Sequence, residues 1–294
     1  MLPVIDYETG RCVRPCVLLL GYFDGVHVGH RRLISRAKEE AAARGLCVGI
    51  MTFYGGKSGR QIFDFSERLY LFESLGIDFV YAARFDEAFR VTEGQTFLEH
   101  VCAALDVRLF VCGADYTYGC GASGNAESLC NYATERGIDA LVLPLVGFGG
   151  EKAGTSLAKQ LLDRGDMKAL AALLGEKYFI RGTVGTEGRH VGRRIGFPTA
   201  NIHLPSEKYP PAPGVYAVTV VAAGVHCRGI ANYGARPTFN DERVVLEVYV
   251  DGYHGDLYGM QLTIYFDFRI RDIRKFNDAA QLSEQLQRDL EKIR

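Results

Sequence analysis

The 294 residues carry 34 Lys and Arg against 35 Asp and Glu, a formal net charge of −1. That balance argues against a chain built to coat nucleic acid or an anionic membrane, since both need a cationic excess. Hydrophobic residues at 48% and charged residues at 23% belong to a globular protein with a sizeable core, in one large domain or two ordinary ones.

No apolar run reaches the roughly 18 to 20 residues that span a bilayer. The opening MLPVIDYETGRCVRPC has no basic region followed by an apolar stretch, so no signal peptide is expected. Eight cysteines, at 12, 16, 47, 102, 112, 120, 130 and 227, form no Cys-x-x-Cys pair. They read as reduced, mostly buried thiols of a cytoplasmic protein.

Residues 16–20 read as a short buried strand and 31–44 as the helix after it. Then come a strand at 46–53, a helix at 66–75, a strand at 79–84, a helix at 96–105, a strand at 109–112, a helix at 126–136 and a strand at 140–145. Strands separated by helices imply parallel pairing through right-handed crossovers, hence a three-layer α/β sandwich. Ligands in such sheets bind at the carboxyl ends of the strands, and polar Gly-rich loops follow the first, second and fourth strands. Beyond Gly149-Gly150 the texture changes. Helices at 155–164 and 167–174 precede β alternation at 178–184, 215–221, 226–232, 244–250 and 261–267, with one last helix at 279–293. This is the pattern of a small antiparallel barrel with a C-terminal helix. The boundary is placed near Gly175, giving domains 1–175 and 176–294.

Glycine is in excess at 34 residues, and two clusters of it carry the chemistry. The first is Gly21-Tyr22-Phe23-Asp24-Gly25-Val26-His27-Val28-Gly29-His30, which leaves a strand and enters a helix. The first turn of that helix offers unpaired N–H groups and the positive end of the dipole, a setting for phosphates. Gly25 and Gly29 let main chain approach a ligand, and two imidazoles could hold a triphosphate and offset charge on a pentavalent α-phosphate. On pattern alone, His27 and His30 could instead merely cap the helix. Gly56-Lys57-Ser58 suggests a phosphate loop but lacks the glycine five residues earlier, where Met51 stands; it reads as a surface turn. His100 and His226 have no partners in sequence and read as packing or surface residues.

The second cluster is Gly182, Gly185, Gly188, Gly192 and Gly196, interleaved with Arg189, Arg193 and Arg194 and followed by Phe197-Pro198-Thr199-Ala200-Asn201. Exposed N–H groups beside cations suit a polyphosphate. On an extended segment Thr199 and Asn201 face one side, so both oxygens could bind one Mg²⁺, an ion that takes few protein ligands plus phosphate oxygens. A Gly-rich hairpin with a Pro-Thr turn is the alternative for each piece alone. Glu247 lies in an alternating strand on the face of Val245 and Tyr249, opposite to Leu246 and Val248. From pattern alone it is either a solvated strand residue or a buried functional acid.

The first string resembles the His-x-Gly-His nucleotidyltransferases, and its longer form one branch of them, the prokaryotic bifunctional riboflavin kinase/FAD synthetases. Gly113-Ala114-Asp115-Tyr116-Thr117-Tyr118-Gly119 resembles that family's Gly-x-Asp-Phe-x-Phe-Gly segment, and Gly154-Thr155-Ser156-Leu157-Ala158-Lys159 aligns with its Ser-Ser-Thr-x-x-Arg stretch. Two departures stand out. The family's Pro-His-Pro after the second strand is replaced by Tyr54-Gly55-Gly56-Lys57, and its arginine by Lys159, which keeps charge but loses the bidentate fork. The block Gly196-Phe197-Pro198-Thr199-Ala200-Asn201 resembles the hallmark of the riboflavin kinase domain. The likeness continues through Pro213–Ala217, Asn232–Phe239, Glu247–Tyr249, Asp256–Gly259 and Arg271–Phe276.

The resemblance implies a Rossmann-like nucleotidyltransferase domain with a parallel sheet, then a small antiparallel β-barrel riboflavin kinase domain. It implies that riboflavin is phosphorylated to FMN in the second half and FMN adenylylated to FAD in the first, with ATP and Mg²⁺ in both. It places ATP or phosphate at Gly21, Phe23, Asp24, Gly29, Asp115, Ser156 and Lys159, and at Gly182, Gly188, Arg189, Gly192 and Pro198. His27 and His30 would be catalytic, Glu247 the general base for the riboflavin 5′-hydroxyl, Thr199 and Asn201 the Mg²⁺ ligands, and Arg271 and Phe276 flavin contacts. The two departures keep a second reading open, a riboflavin kinase with a degenerate nucleotide-binding half. A flavin- or nucleotide-binding regulator without catalysis, with or without RNA as its target, fits less well: near-neutral charge and no aromatic-plus-basic strand pattern count against RNA, and Thr199, Asn201 and Glu247 count against a mere binder. The expected partners are small molecules, without nucleic acid or membrane.

Overall fold

In the first half, runs of apolar residues become strands buried on both faces, as parallel sheets require. β1 (Val4–Asp6), β2 (Cys12–Leu20), β3 (Cys47–Tyr54), β4 (Phe79–Arg84), β5 (Leu105–Gly113) and β8 (Asp139–Leu143) form one parallel sheet in the order β1-β4-β3-β2-β5-β8. Between them run α1 (Val28–Arg44), α2 (Phe65–Ser74), α3 (Glu87–Arg90), α4 (Gly94–Ala104) and α5 (Ala126–Glu135). Two small hairpins decorate the unit, β6 (Thr117–Tyr118) with β7 (Gly124–Asn125), and β9 (Gly147–Phe148) with β10 (Glu151–Lys152). The computed structural model describes residues 1–55, 59–185, 199–236, 241–253 and 255–294.

Chain order reverses between β2 and β5, which are neighbours although β3 and β4 lie between them in sequence. That makes the carboxyl ends of β2 and β5 the topological switch point, where open α/β sheets bind ligands. The sequence expectation began the β5 strand at residue 109, after two polar residues. Its start at Leu105 includes Asp106 and Arg108, which pair with each other at 2.8 Å.

The second half holds α6 (Thr155–Arg164), α7 (Met167–Leu174), β11 (Phe179–Thr183), β12 (Thr199–Ile202), β13 (Gly214–Ala222), β14 (Val225–Arg236), β15 (Asp241–Val250), β16 (Gln261–Arg271) and α8 (Ala279–Glu291). Its strands are antiparallel in the order β11-β16-β13-β14-β15-β12. The two edges meet at a bridge between Val184 and Ile202, beside a Gly185 N–H that donates to the Asn201 carbonyl at 2.9 Å. Val218, Val220, Leu246, Val248, Ile264 and Phe266 are buried inside this curved sheet. Its outer face carries α8, whose Leu290 and Leu286 pack with Val215, Ile230 and Tyr249.

By compactness the chain parts into Met1–Thr155 and Ser156–Arg294, closer to the change of texture after Gly149-Gly150 than to the boundary placed near Gly175. Both α6, from Ser156 on, and α7 fall in the second unit, to which α6 is tied by Leu162 O accepting from Ala212 N at 2.9 Å and by the Tyr209 hydroxyl donating to Asp163 at 2.8 Å.

Candidate functional site

At the end of β2 the chain makes a tight loop before α1. Phe23 and Val26 sit at φ +56° and +43°, a left-handed conformation that costs a side chain energy and survives only when its surroundings enforce it. Here they do. Phe23 and Val26 are buried, and the Phe23 ring lies so close to Gly21 that a Cβ there would stand 2.9 Å from it. The Tyr22 carbonyl accepts from Thr52 Oγ1 at 2.7 Å and from Arg68 Nη1 at 3.0 Å. The buried Arg68 guanidinium also donates to Thr52 Oγ1 at 2.6 Å and Phe53 O at 2.7 Å, tying the ends of β2 and β3 together. Asp24, buried, accepts from Phe63 N at 3.3 Å.

His27 is the N-cap of α1, its Nδ1 accepting from His30 N at 3.4 Å, the contact that the capping alternative describes. With Nδ1 accepting, the neutral ring carries its proton on Nε2, free to donate elsewhere. The two imidazoles stack with centroids 3.8 Å apart and planes 18° apart. The His30 Nδ1 is buried and unpaired among the described residues, a cost that a bound acceptor or donor would relieve. Burial lowers the His27 pKa to about 4, with Lys152 adding and Asp115 opposing, and burial next to His27 holds His30 well below the ordinary value. Both rings are therefore neutral donors near pH 7 in the free protein.

This has a consequence for stability. An unfolded histidine titrates near 6.5, so below that pH the unfolded chain binds protons that folded His27 refuses until about pH 4. Stability must fall as pH drops through that window. His27→Asn keeps a capping side chain and removes the titration; its Tm should fall less than that of the unaltered protein between pH 7 and pH 5. Equal falls would contradict this.

Sequence reasoning missed two features of this rim. Lys152 forms an ion pair with the Asp115 carboxylate, on a hairpin whose base, Ala153 N to Val146 O at 2.9 Å, sets Val146 Cβ 3.9 Å from where a Gly29 Cβ would be. A cation thus lies near the α1 N-terminus from a residue no motif had marked. Aromatic rings also line the carboxyl ends of β2, β3 and β4. Tyr22 stacks on Phe53 at 6.0 Å, and Phe53 meets Phe85 at 5.5 Å and Phe89 at 5.1 Å.

Ser156 and Lys159 lie in the first two turns of α6, within the second compact unit, and the Lys159 ammonium stands 5.0 Å from the Tyr209 ring centroid. Gly56, Lys57 and Ser58 lie outside the described residues, as do Gly188, Arg189, Gly192, Arg193, Arg194, Gly196 and Pro198. Gly182 is paired with Leu262 in β11, and a Cβ on it would stand 2.5 Å from Ile202 Cγ2, so its bareness lets the two sheet edges approach.

In the second unit, strand register gathers residues far apart in sequence. Asn201 on β12 faces Glu247 on β15, Glu247 faces Asn232 on β14, Asn232 faces Val215 on β13, and Val215 faces Arg271 on β16. Directly opposed residues share a face, on strands about 4.8 Å apart. Ala200, Ile202, Leu246 and Val248 are buried on the inner face, so the row lies on the outer one. Thr199 occupies the same face, opposite Tyr249. Glu247 is half-buried rather than a fully solvated strand residue, on the face that α8 covers nearby. Asn232 is a polar member of the row that sequence reasoning had not singled out for a role.

At the far end Arg271 is held by Asp289, and Phe276, 9% exposed, lies against the Arg271 and Arg274 guanidiniums at 5.8 and 5.0 Å. Among the described residues no cluster of three or more His, Cys, Asp or Glu is placed to hold a metal. The neutral oxygens of Thr199 and Asn201 beside one carboxylate suit a hard cation that brings most of its ligands with it.

The riboflavin kinase family model matches residues 174–294 and the FAD synthetase family model residues 10–157. The bifunctional riboflavin kinase/FMN adenylyltransferase of Bacillus subtilis is 34% identical over 285 residues, covering 93% of this chain and 90% of its own. The Escherichia coli protein of the same description is 33% identical over 284 residues, covering 93% and 90%. A solved structure described as a macrolide-efflux protein from Streptococcus pneumoniae superposes with a TM-score of 0.87 at 31% identity, over 99% of this chain and 98% of that one. Among the described residues, no helix is long and apolar enough to cross a membrane.

Proposed function

Because this chain belongs to the bifunctional riboflavin kinase/FMN adenylyltransferase family, we propose that its second half phosphorylates riboflavin to FMN and its first half adenylylates FMN to FAD, each from ATP. The observation that carries the kinase assignment is the row Asn201–Glu247–Asn232, with Thr199 on the same face.

In that row Glu247 takes the proton of the riboflavin 5′-hydroxyl as its oxygen bonds to the γ-phosphorus and the bond to ADP breaks. Such transfers pass through a loose transition state, so positioning and charge dispersal dominate. Thr199 and Asn201 would hold Mg²⁺ together with ATP phosphate oxygens; the ion supplies neutralisation of the polyphosphate charge. Arg271 and Phe276 would bound the flavin end.

In the first half an FMN phosphate oxygen attacks the α-phosphorus of ATP and pyrophosphate departs. The nucleophile is already ionised near pH 7, so no general base is needed. Neutral His27 and His30 then serve as hydrogen-bond donors to the α-phosphate oxygens rather than as cations, alongside N–H groups of the α1 N-terminus. Lys152 supplies the positive charge, with Asp115 holding it until triphosphate competes. Tyr22, Phe53 and Phe85 offer flat apolar surface to the isoalloxazine.

The kinase-only reading sets the first half aside. The FAD synthetase match over 10–157 and the stacked His27–His30 pair at the strand switch favour two activities. Supplying FMN, ATP and Mg²⁺ separates them: FAD and pyrophosphate are expected, while riboflavin turned to FMN with no FAD at high enzyme would leave the kinase alone.

A further inference from the structure

We propose that Asp289, on the final helix, is a positioning residue for the flavin side of the kinase site, acting through Arg271. The inference rests on the kinase reading above.

The Asp289 side chain has no exposure to solvent, yet it forms an ion pair with Arg271. A buried carboxylate persists only when paired and hydrogen-bonded, and both its oxygens are engaged. Oδ2 accepts from Arg271 Nε at 2.8 Å and lies 2.8 Å from Nη2 in the ion pair, and Oδ1 accepts from Gln285 Nε2 at 2.8 Å. Arg271 Nη1 donates to the Asp272 carbonyl at 3.0 Å. The guanidinium plane is thus fixed from two directions, with 16% of the side chain exposed, and what remains for a ligand is its outward edge.

Arg271 closes the row that contains Glu247, three strand gaps away, or about 14 Å at ordinary strand spacing. An elongated substrate with its hydroxyl at Glu247 would run toward Arg271 and the Phe276 ring beside it. The segment between Arg271 and Phe276 follows the same clamp, since Arg274 bonds Gln285, one turn before Asp289.

The pair is not what docks the helix. Leu286, Leu290 and Ile293 already seat α8 on Val215, Ile230 and Tyr249, and a buried ion pair adds little net stability over an apolar replacement of like volume. Its distinct effect is to aim Arg271.

The test uses the full chain and steady-state kinetics with riboflavin and ATP varied separately. Asp289→Asn should raise KM for riboflavin on the order of tenfold, as loss of supporting partners does at other sites, with KM for ATP unchanged. Arg271→Met should do the same, and adding Asp289→Asn to it should change nothing further. Because breaking a buried pair can unfold a protein, the matched replacement Arg271→Met with Asp289→Leu provides a folded comparison with the same riboflavin defect. Leu290→Ala, which loosens packing alone, should lower Tm without splitting the two KM values. Additive effects of Asp289→Asn and Arg271→Met, or parallel rises in both KM values, would overturn the inference. An unaltered chain that makes no FMN would overturn the kinase reading, and this inference with it.

Discussion

Glu247→Gln should lower turnover of riboflavin to FMN by about 10²- to 10⁴-fold, the range that a positioned general base contributes, with KM for ATP unchanged. In barrier terms this is roughly 3 to 5 kcal/mol. Glutamine keeps the shape and can still hydrogen-bond, but it cannot accept the hydroxyl proton. The carboxylate is half-buried on the outer face, with Leu246 and Val248 packing the interior on either side, so the swap leaves the core untouched and Tm should hold. The chemistry also predicts a clean separation: FAD made from supplied FMN should form at the usual rate. An unchanged kcat for riboflavin would remove Glu247 from the mechanism.

The second large effect belongs to the first unit. His27→Asn and His30→Ala should each lower conversion of FMN to FAD by about 10²- to 10³-fold, the loss expected when one preorganised donor to a developing charge is removed. FMN formation from riboflavin should be unaffected. His27→Asn is the informative variant, because asparagine caps a helix about as well as any residue while its shorter side chain moves the donor away from the stacked pair at 3.8 Å. If it loses rate while Tm holds, the imidazole acts on substrate as well as on the helix. If it keeps the full rate, His27 is a cap and no more.

How much of this was legible depended on how local the arrangement is. His27 and His30 were readable because strand end, glycines and helix start are consecutive, and the turn they share is dictated by the helix itself. The alternating strand correctly divided Glu247 from Leu246 and Val248, since a period of two assigns faces within one strand. It could not pair Glu247 with Asn201 and Asn232, because register between strands distant in sequence comes from the closing of the whole sheet. Asp115 and Lys152 meet across 37 residues, and neither carries a local sign of the other. The rings of Phe53, Phe85 and Phe89 sit in or beside apolar stretches that read as core, and only strand order brings them to one rim. Arg271 was marked through family likeness as a flavin contact, while its partner Asp289 sits in an ordinary amphipathic helix pattern, where an acid reads as solvated surface.

The proposed chemistry divides between two separate sites, one per compact unit, in successive steps joined by FMN. Mixing Glu247→Gln with His27→Asn tests it most directly. From riboflavin, ATP and Mg²⁺, each variant alone should make almost no FAD, the first for want of FMN and the second with FMN accumulating. Together they should make FAD, because FMN released by one is used by the other. A mixture that stays without FAD, although each variant still performs its remaining step when given its own substrate, would contradict this division.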